Sequence, residues 1–466
     1  MPRWWPSHCV PGSSADPGPA YGCAVTVPDP SGPARTSTAP DASSEPALEA
    51  EAAAPSPVTI LLEPREGLPA VITGSAALQS AATALAGGTG PIAVDAERAS
   101  GYRYGQRAYL VQIRRNGSGS FLVDPVAFDD LSPLADAIND AEWVLHAASQ
   151  DLPCLAEIGL RPRELFDTEL AGRLLGHPRV GLGAMTESVL GIGLEKGHAA
   201  ADWSTRPLPE DWLRYAALDV EVLIDLRDAL AAELDEAGKT DWAREEFAAI
   251  AAAPPATPRV DPWRRTSGMH KVRKPRQLAV IRELWLARDE LARQRDTAPG
   301  RILPDIAIVS AAVEQPATRE ALVALPIFGG KANRRQADRW MAAIDHARTC
   351  PDAELPATTL ISDAPPPARS WNDKNPEAAA RLAVLRPAIA ALADEHHLPT
   401  ENLLTPDTVR RVAWEPPEDC SETGIAARLQ SHGARQWQID LTARPMAKAL
   451  DRVQREADVA RDSVTP

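Results

Sequence analysis

Three short stretches of the chain place acids where they could act together. Asp95 and Glu97 lie two apart at the end of the apolar run Pro91-Ile92-Ala93-Val94-Asp95-Ala96-Glu97. The period-two alternation of a strand puts both carboxylates on one face. Asp151 closes His146-Ala147-Ala148-Ser149-Gln150-Asp151, where an apolar strand runs into a helix start and an acid in the first helical turn is favoured by the macrodipole. Tyr215 and Asp219 stand at i and i+4 in a helical stretch whose packed side is marked by Leu218, Val222 and Leu223, so they share one helix face. Singly, each has a plain structural explanation: a solvated strand end, a helix cap, a side-chain hydrogen bond on a helix. Together, four acids from two strand ends and a helix are hard oxygen ligands, suited to Mg²⁺ or Mn²⁺ rather than zinc. Two such ions about 4 Å apart stabilise the attacking and leaving oxygens of a phosphodiester displacement. A tyrosine one turn from a ligand acid could hold the attacking water.

The elements that position these groups follow from the pattern around them. Order is expected from Val58, with strands at 58–62, 92–95, 108–113 and 120–123. Asn116-Gly117-Ser118-Gly119 gives a hairpin signal between the second and third of the inner strands. An amphipathic helix at 131–139 and a strand at 143–146 come next, then a mostly helical stretch from 151 to 242. A meander followed by alternating strands and helices implies a mixed sheet covered by helices. Residues 252–275 read as an Ala- and then Pro-rich linker, 276–350 as a helical unit, 351–374 as a second Pro-rich linker and 375–455 as another helical unit. Residues 1–57 hold 12 of the 44 prolines and few large apolar side chains, and read as a disordered tail.

The chain has 466 residues, 44% of them apolar and 24% charged, which leaves room for two to four globular domains. It contains no apolar run long enough to span a membrane and opens without a secretory pattern, so a cytoplasmic protein is expected. Five cysteines lie far apart with no CxxC pair, against a disulfide framework or a thiolate zinc site. The net charge of −15 hides an asymmetry. Residues 259–348 carry 18 Lys and Arg against 10 Asp and Glu, a net of +8, so the remainder carries −23. A basic helical unit tethered to an acidic body is the footprint of a grip on phosphate backbone, although a solvated helical surface gives the same count.

The order D-x-E, H-x4-D, Y-x3-D resembles the tyrosine-bearing branch of the DEDD exonuclease superfamily, and most fully the ribonuclease D family. Val94-Asp95-Ala96-Glu97, His146 through Leu152, Phe166-Asp167-Thr168, Asp202-Trp203-Ser204-Thr205-Arg206-Pro207-Leu208 and Tyr215-Ala216-Ala217-Leu218-Asp219 match that family's landmarks in order and spacing across about residues 58–250. The branch that carries histidine places it five residues before the last acid, where this chain has Arg214. Lys274-Pro275-Arg276-Gln277-Leu278, Leu284 through Glu290 and Pro299 through Asp305 resemble an HRDC domain, and 398–414 loosely resembles the family's C-terminal helical domain. Glu97-Arg98-Ala99 departs from the pattern, since many relatives carry an apolar or aromatic residue directly after the glutamate.

The resemblance implies a ribonuclease-H-like mixed sheet followed by two small all-α, HRDC-like domains. It implies a 3′→5′ exoribonuclease acting on structured RNA such as tRNA precursors, releasing nucleoside 5′-monophosphates, with no membrane and no obligate protein partner. Asp95, Glu97, Asp151 and Asp219 would hold two Mg²⁺ or Mn²⁺ ions and Tyr215 would orient the water. Gln112, His146, Arg206, Lys274 and Arg276 would contact the nucleic acid. A 3′→5′ DNA exonuclease and a non-catalytic RNA-binding scaffold are the alternatives.

Overall fold

A computed structural model describes residues 58–195, 197–198, 200–359 and 363–462. The expected disordered tail, 1–57, lies outside the described residues.

Among the described residues, eight strands form two sheets. The larger has the order β2-β5-β4-β3-β6-β7, from Val71–Ile72 (β2), Gly119–Val123 (β5), Ala108–Asn116 (β4), Thr89–Arg98 (β3), Glu142–Leu145 (β6) and Glu164–Asp167 (β7). The hairpin expected at 116–119 joins β4 to β5, with Gly117 and Gly119 both at positive φ. β3–β4–β5 is the antiparallel meander, and β6 and β7 add in parallel beyond β3. The strand expected at 58–62 is β1 (Thr59–Leu61), and it joins β8 (Ile192–Leu194) in a separate two-stranded parallel sheet.

The helices are α1 (Ser75–Gly87), α2 (Ser132–Ile138), α3 (Leu152–Glu157), α4 (Thr168–Leu175), α5 (Leu182–Met185), α6 (Glu210–Glu221), α7 (Leu223–Glu236), α8 (Thr240–Ala251) and α9 (Pro275–Gln294). Among the described residues, those beyond α9 form further helices, from Pro299–Ile302 to Gln436–Asp462. α6 lies across β3, β4 and β5, and α7 touches β3 and β6. The apolar run of β3 is buried at Ile92, Ala93 and Val94 because its two sides are flanked by β4 and β6 and its faces by helices.

Two further units dock on this body. The unit around α9 has its own core, centred on Leu284, Ile308, Phe328 and Trp340. It meets the loop that follows β3. The Ala298 N–H donates to the Tyr102 carbonyl at 2.9 Å, the Arg301 guanidinium lies 4.0 Å over the Tyr102 ring, and the Tyr104 hydroxyl donates to Asp289 at 3.0 Å. The C-terminal unit shares one continuous core with the sheet domain. Trp242 stacks on Trp437 at 4.9 Å, and the Lys239 ammonium donates to the Leu174 and His396 carbonyls at 2.7 Å each.

Candidate active site

β3 outruns its neighbour. It pairs with β6 at Ile92 and Ala93, and β6 ends at Leu145, so Asp95 and Glu97 stand past the end of β6 at the floor of a cleft. From the helical side α6 brings Asp219, and Tyr215 one turn before it donates its hydroxyl to the Asp219 carboxylate. Oxygen atoms of Asp95, Glu97 and Asp219 all lie within 4.8 Å of one another. Asp151 sits between a 3₁₀ turn (Ala148–Gln150) and α3, on the wall of the same cleft. It begins the helix, as expected, but its side chain caps no helix N–H. It faces Arg98 instead, whose Nη2 is 3.2 Å from Asp151 Oδ1 and whose Nη1 donates to the Gln150 carbonyl at 2.5 Å.

The turn leading to Asp151 is anchored from β7. The buried Asp167 carboxylate accepts the N–H groups of Ala147 and Ala148 at 3.1 and 2.9 Å, and those of Glu169 and Leu170 at 3.0 and 3.1 Å. It caps α4 while holding Ala147 in the left-handed region at φ 60, a conformation that costs a non-glycine residue about 1 kcal/mol or more and needs such support. α6 is pinned at both ends. Near its C-terminus the buried Glu221 meets Arg114 of β4 at 3.2 Å and Arg65 at 3.8 Å. Ahead of its N-terminus Arg206 grips Asp124 through two bonds of 2.7 and 2.9 Å, and donates to the carbonyls of Trp203, Thr205 and Tyr109.

Burial sets the electrostatics. It raises the proton affinity of Asp95, and lifts that of Asp219 well above the ordinary carboxylate range. Burial, with the charges of Asp95, Asp219 and Asp151 adding, pushes Glu97 up to about 10, and burial with Asp95 pushes Asp151 up to about 8. Arg98 opposes the rise at Asp95, Glu97 and Asp151, and among the described residues it is the one cation so placed. Four carboxylates, buried at Glu97 and Asp151 and half-buried at Asp95 and Asp219, are short of positive charge with one guanidinium, and an all-oxygen donor set fits hard divalent cations. The Tyr215 hydroxyl is also raised, first by burial and then by Asp219, so it stays protonated and acts as a donor.

A pH dependence follows. The folded-state values lie above the unfolded ones, from 3.8 to about 8 for Asp151 and from 4.5 to about 10 for Glu97. The folded protein then binds more protons, and stability is lost as pH rises through that interval. His146, which burial depresses to about 4, affects stability only below its ordinary value of 6.5. In EDTA the melting temperature is therefore expected to fall from pH 6.5 to 8, and saturating divalent cation should flatten that slope. Calorimetric scans at both pH values check it; an equal slope with and without cation would contradict it.

The cleft thus gathers Asp95, Glu97, Asp151, Tyr215, Asp219 and His146, whose Nδ1 lies 2.9 Å from the Thr168 hydroxyl. Of the five expected nucleic-acid contacts, His146 lines the cleft, and Gln112, Arg206, Lys274 and Arg276 are not among its lining residues. Gln112 pairs with Asp95 in the sheet register and is 0% exposed beneath α6. Arg206 directs its donors to Asp124 and three carbonyls ahead of α6. Arg276 is spent within its own unit, on Asp352 and the Ala347 and Cys350 carbonyls. Lys274 is exposed at the start of α9, away from the cleft. Sequence reasoning missed Arg98 as the counter-charge of Asp151, although a cation directly after D-x-E was a visible signal. It also missed Asp167 as the anchor of the Asp151 turn.

The sequence family described as 3′-5′ exonuclease matches residues 69–235. A ribonuclease D of Gluconacetobacter diazotrophicus is 31% identical over 298 residues, which is 62% of this chain and 72% of that protein. The chain belongs to the ribonuclease D family. It is accordingly a nuclease, a 3′→5′ exoribonuclease, and its mixed sheet with appended helical units is that family's architecture. An HRDC domain matches residues 277–344, and a family described as the 3′ to 5′ exonuclease C-terminal domain matches 364–450. Among solved structures, a protein from Bifidobacterium adolescentis superposes with TM-score 0.77 at 38% identity, over 84% of this chain and 99% of that one. Escherichia coli RNase D, an exoribonuclease involved in structured RNA processing, superposes with TM-score 0.60 at 26% identity over 83% of this chain and 98% of that one. RNA is the substrate class and divalent metal the cofactor class that fit the family and the acid cluster. Among the described residues no helix is long and apolar enough to cross a membrane.

Proposed function

We propose that the enzyme trims the 3′ ends of structured RNA, tRNA precursors among them, and releases nucleoside 5′-monophosphates in the cytoplasm. The observation that carries this is the convergence of four carboxylates from β3, the start of α3 and α6 beside a protonated tyrosine hydroxyl in one cleft of about 850 Å³. Asp95, Glu97, Asp151 and Asp219 would hold two Mg²⁺ or Mn²⁺ ions. Bound there, the ions would supply the positive charge that stabilises the attacking and leaving oxygens. Asp219 accepts the Tyr215 hydrogen bond, which fixes the phenol over the centre. That hydroxyl orients the attacking water, and as a donor it does not take the water's proton. Asp167 keeps Asp151 facing the cleft, and Arg98 balances Asp151 until cations load. The α9 unit, docked on the loop after β3, would hold the RNA body while the 3′ end enters the cleft. No protein partner is required by this arrangement.

Lys271 and Arg273 precede α9, are exposed, and have no ion-pair partner among the described residues. In the full-length protein, replacing both with Glu is expected to weaken binding of tRNA-sized RNA and to make the plot of log K against log salt shallower by about 1.4–1.8, since each phosphate contact contributes 0.7–0.9. Hydrolysis of a short single strand should persist. An unchanged slope would leave this segment a solvated surface. The same assay on matched RNA and DNA oligonucleotides, with Mg²⁺ or EDTA, tests the substrate class.

A further inference from the structure

The cleft carries a cation of its own. Two guanidiniums line it, Arg98 and Arg179, and among the described residues only Arg98 meets a site acid. Asp95, Glu97 and Asp219 bring oxygens within 4.8 Å of one another, and Asp151 stands outside that group. Asp151 is therefore the one site acid that a metal ion must take from a guanidinium. A divalent ion offers the same carboxylate oxygen twice the charge of Arg98. The hold of Arg98 is also light. Its Nη2 stands 3.2 Å from Asp151 Oδ1 and its Nη1 donates to the Gln150 carbonyl at 2.5 Å, whereas Arg206 is tied down by Asp124 and three carbonyls. Its side chain is 25% exposed, so it can turn without unpacking a core. A planar fork that spans a carboxylate oxygen and a neighbouring carbonyl oxygen can equally span two oxygens of a phosphate.

We propose that Arg98 serves two partners in turn: it holds Asp151 while the site is without cation, and it pairs with a phosphate of the RNA in the cleft once a divalent ion takes Asp151. A guanidinium displaced from Asp151 is left half-buried without its carboxylate, which is costly, and a phosphate restores a charge-assisted pair. Arg98 then acts with opposite signs on the two ligands. It weakens cation binding to the RNA-free protein, because it competes for Asp151, and it strengthens RNA binding to the loaded one. This rests on the acids of the cleft being the hydrolytic centre.

The test uses the full-length protein and two readouts that need no turnover. Mn²⁺ is titrated by calorimetry without RNA, and a short single-stranded RNA is titrated in saturating Ca²⁺ at several salt concentrations. Arg98→Gln keeps a donor for the Gln150 carbonyl and removes the charge. It is expected to bind Mn²⁺ about tenfold tighter than the wild type and RNA about tenfold more weakly, the size of one charge-assisted hydrogen bond. Its plot of log K against log salt should be shallower by about 0.7, the share of one phosphate contact on a single strand. Arg98→Lys keeps the charge and should return both affinities most of the way. A merely structural contact, once lost, would weaken both ligands together, so the opposite signs mark the exchange. Mn²⁺ affinity that is unchanged or weaker in Arg98→Gln would overturn the competition for Asp151. Unchanged RNA affinity and salt slope would overturn the transfer to phosphate. Failure of the underlying reading would show separately, as no Mn²⁺ uptake and no Mg²⁺-dependent shortening of RNA by the wild type, and the exchange would fall with it.

Discussion

Asp219→Asn is expected to lower turnover by at least about 10³-fold, because removing one ligand charge forfeits several kcal/mol of charge stabilisation in the transition state. The side chain keeps its size, and its amide oxygen can still accept the Tyr215 hydroxyl. What is lost is a charge at a place where oxygens of three acids lie within 4.8 Å of one another. Crowding of like charges raises the free energy of the metal-free protein, so the same substitution should leave the melting temperature in EDTA unchanged or higher. Single-turnover cleavage and calorimetry on the same preparation check both halves. A large fall in activity accompanied by a large fall in melting temperature would mean that Asp219 serves the packing of α6.

Tyr215→Phe should cut turnover by about 10²-fold, the lower end for loss of a positioned acid–base or water-orienting group. The ring keeps its packing on α6 and only the hydroxyl goes. Since burial and Asp219 hold that hydroxyl protonated, kcat should fall at every pH without a change in the shape of the pH profile. Metal affinity by calorimetry and RNA affinity in Ca²⁺ should stay near wild type. Turnover at the wild-type rate would assign the water to another group. Loss of metal binding along with activity would make Tyr215 part of the metal site.

These expectations rest on groups whose legibility in the sequence differed. Asp95 and Glu97 were readable because strand periodicity fixes their common face, and Tyr215 with Asp219 because helical periodicity does the same. Asp151 was readable only as one of a set, since an acid at a helix start is ordinarily a cap. The short strands β7 and β8 were missed within a stretch that reads as helical, because four residues such as Glu164–Asp167 carry no usable period. The burial of Gln112 was not legible, because a polar residue in a strand suggests a solvated face, whereas β4 lies between β3 and β5 and under α6. The bonds of Arg206 were hidden for a related reason. Its partner Asp124 is 82 residues away, and nothing local reveals a side chain already committed. The basic surplus of 259–348 likewise overstates the free charge, since Arg276, Arg282, Arg288 and Arg293 are each paired with acids.

The most direct test of the acid centre uses an RNA labelled on its last internucleotide phosphate. Incubated with the full-length wild-type protein and Mg²⁺, it should release the label as a nucleoside 5′-monophosphate from the first turnover, and EDTA should stop release altogether. Release that persists in EDTA, or label that first appears in an oligonucleotide, would contradict a metal-dependent 3′-exonucleolytic centre built from Asp95, Glu97, Asp151 and Asp219.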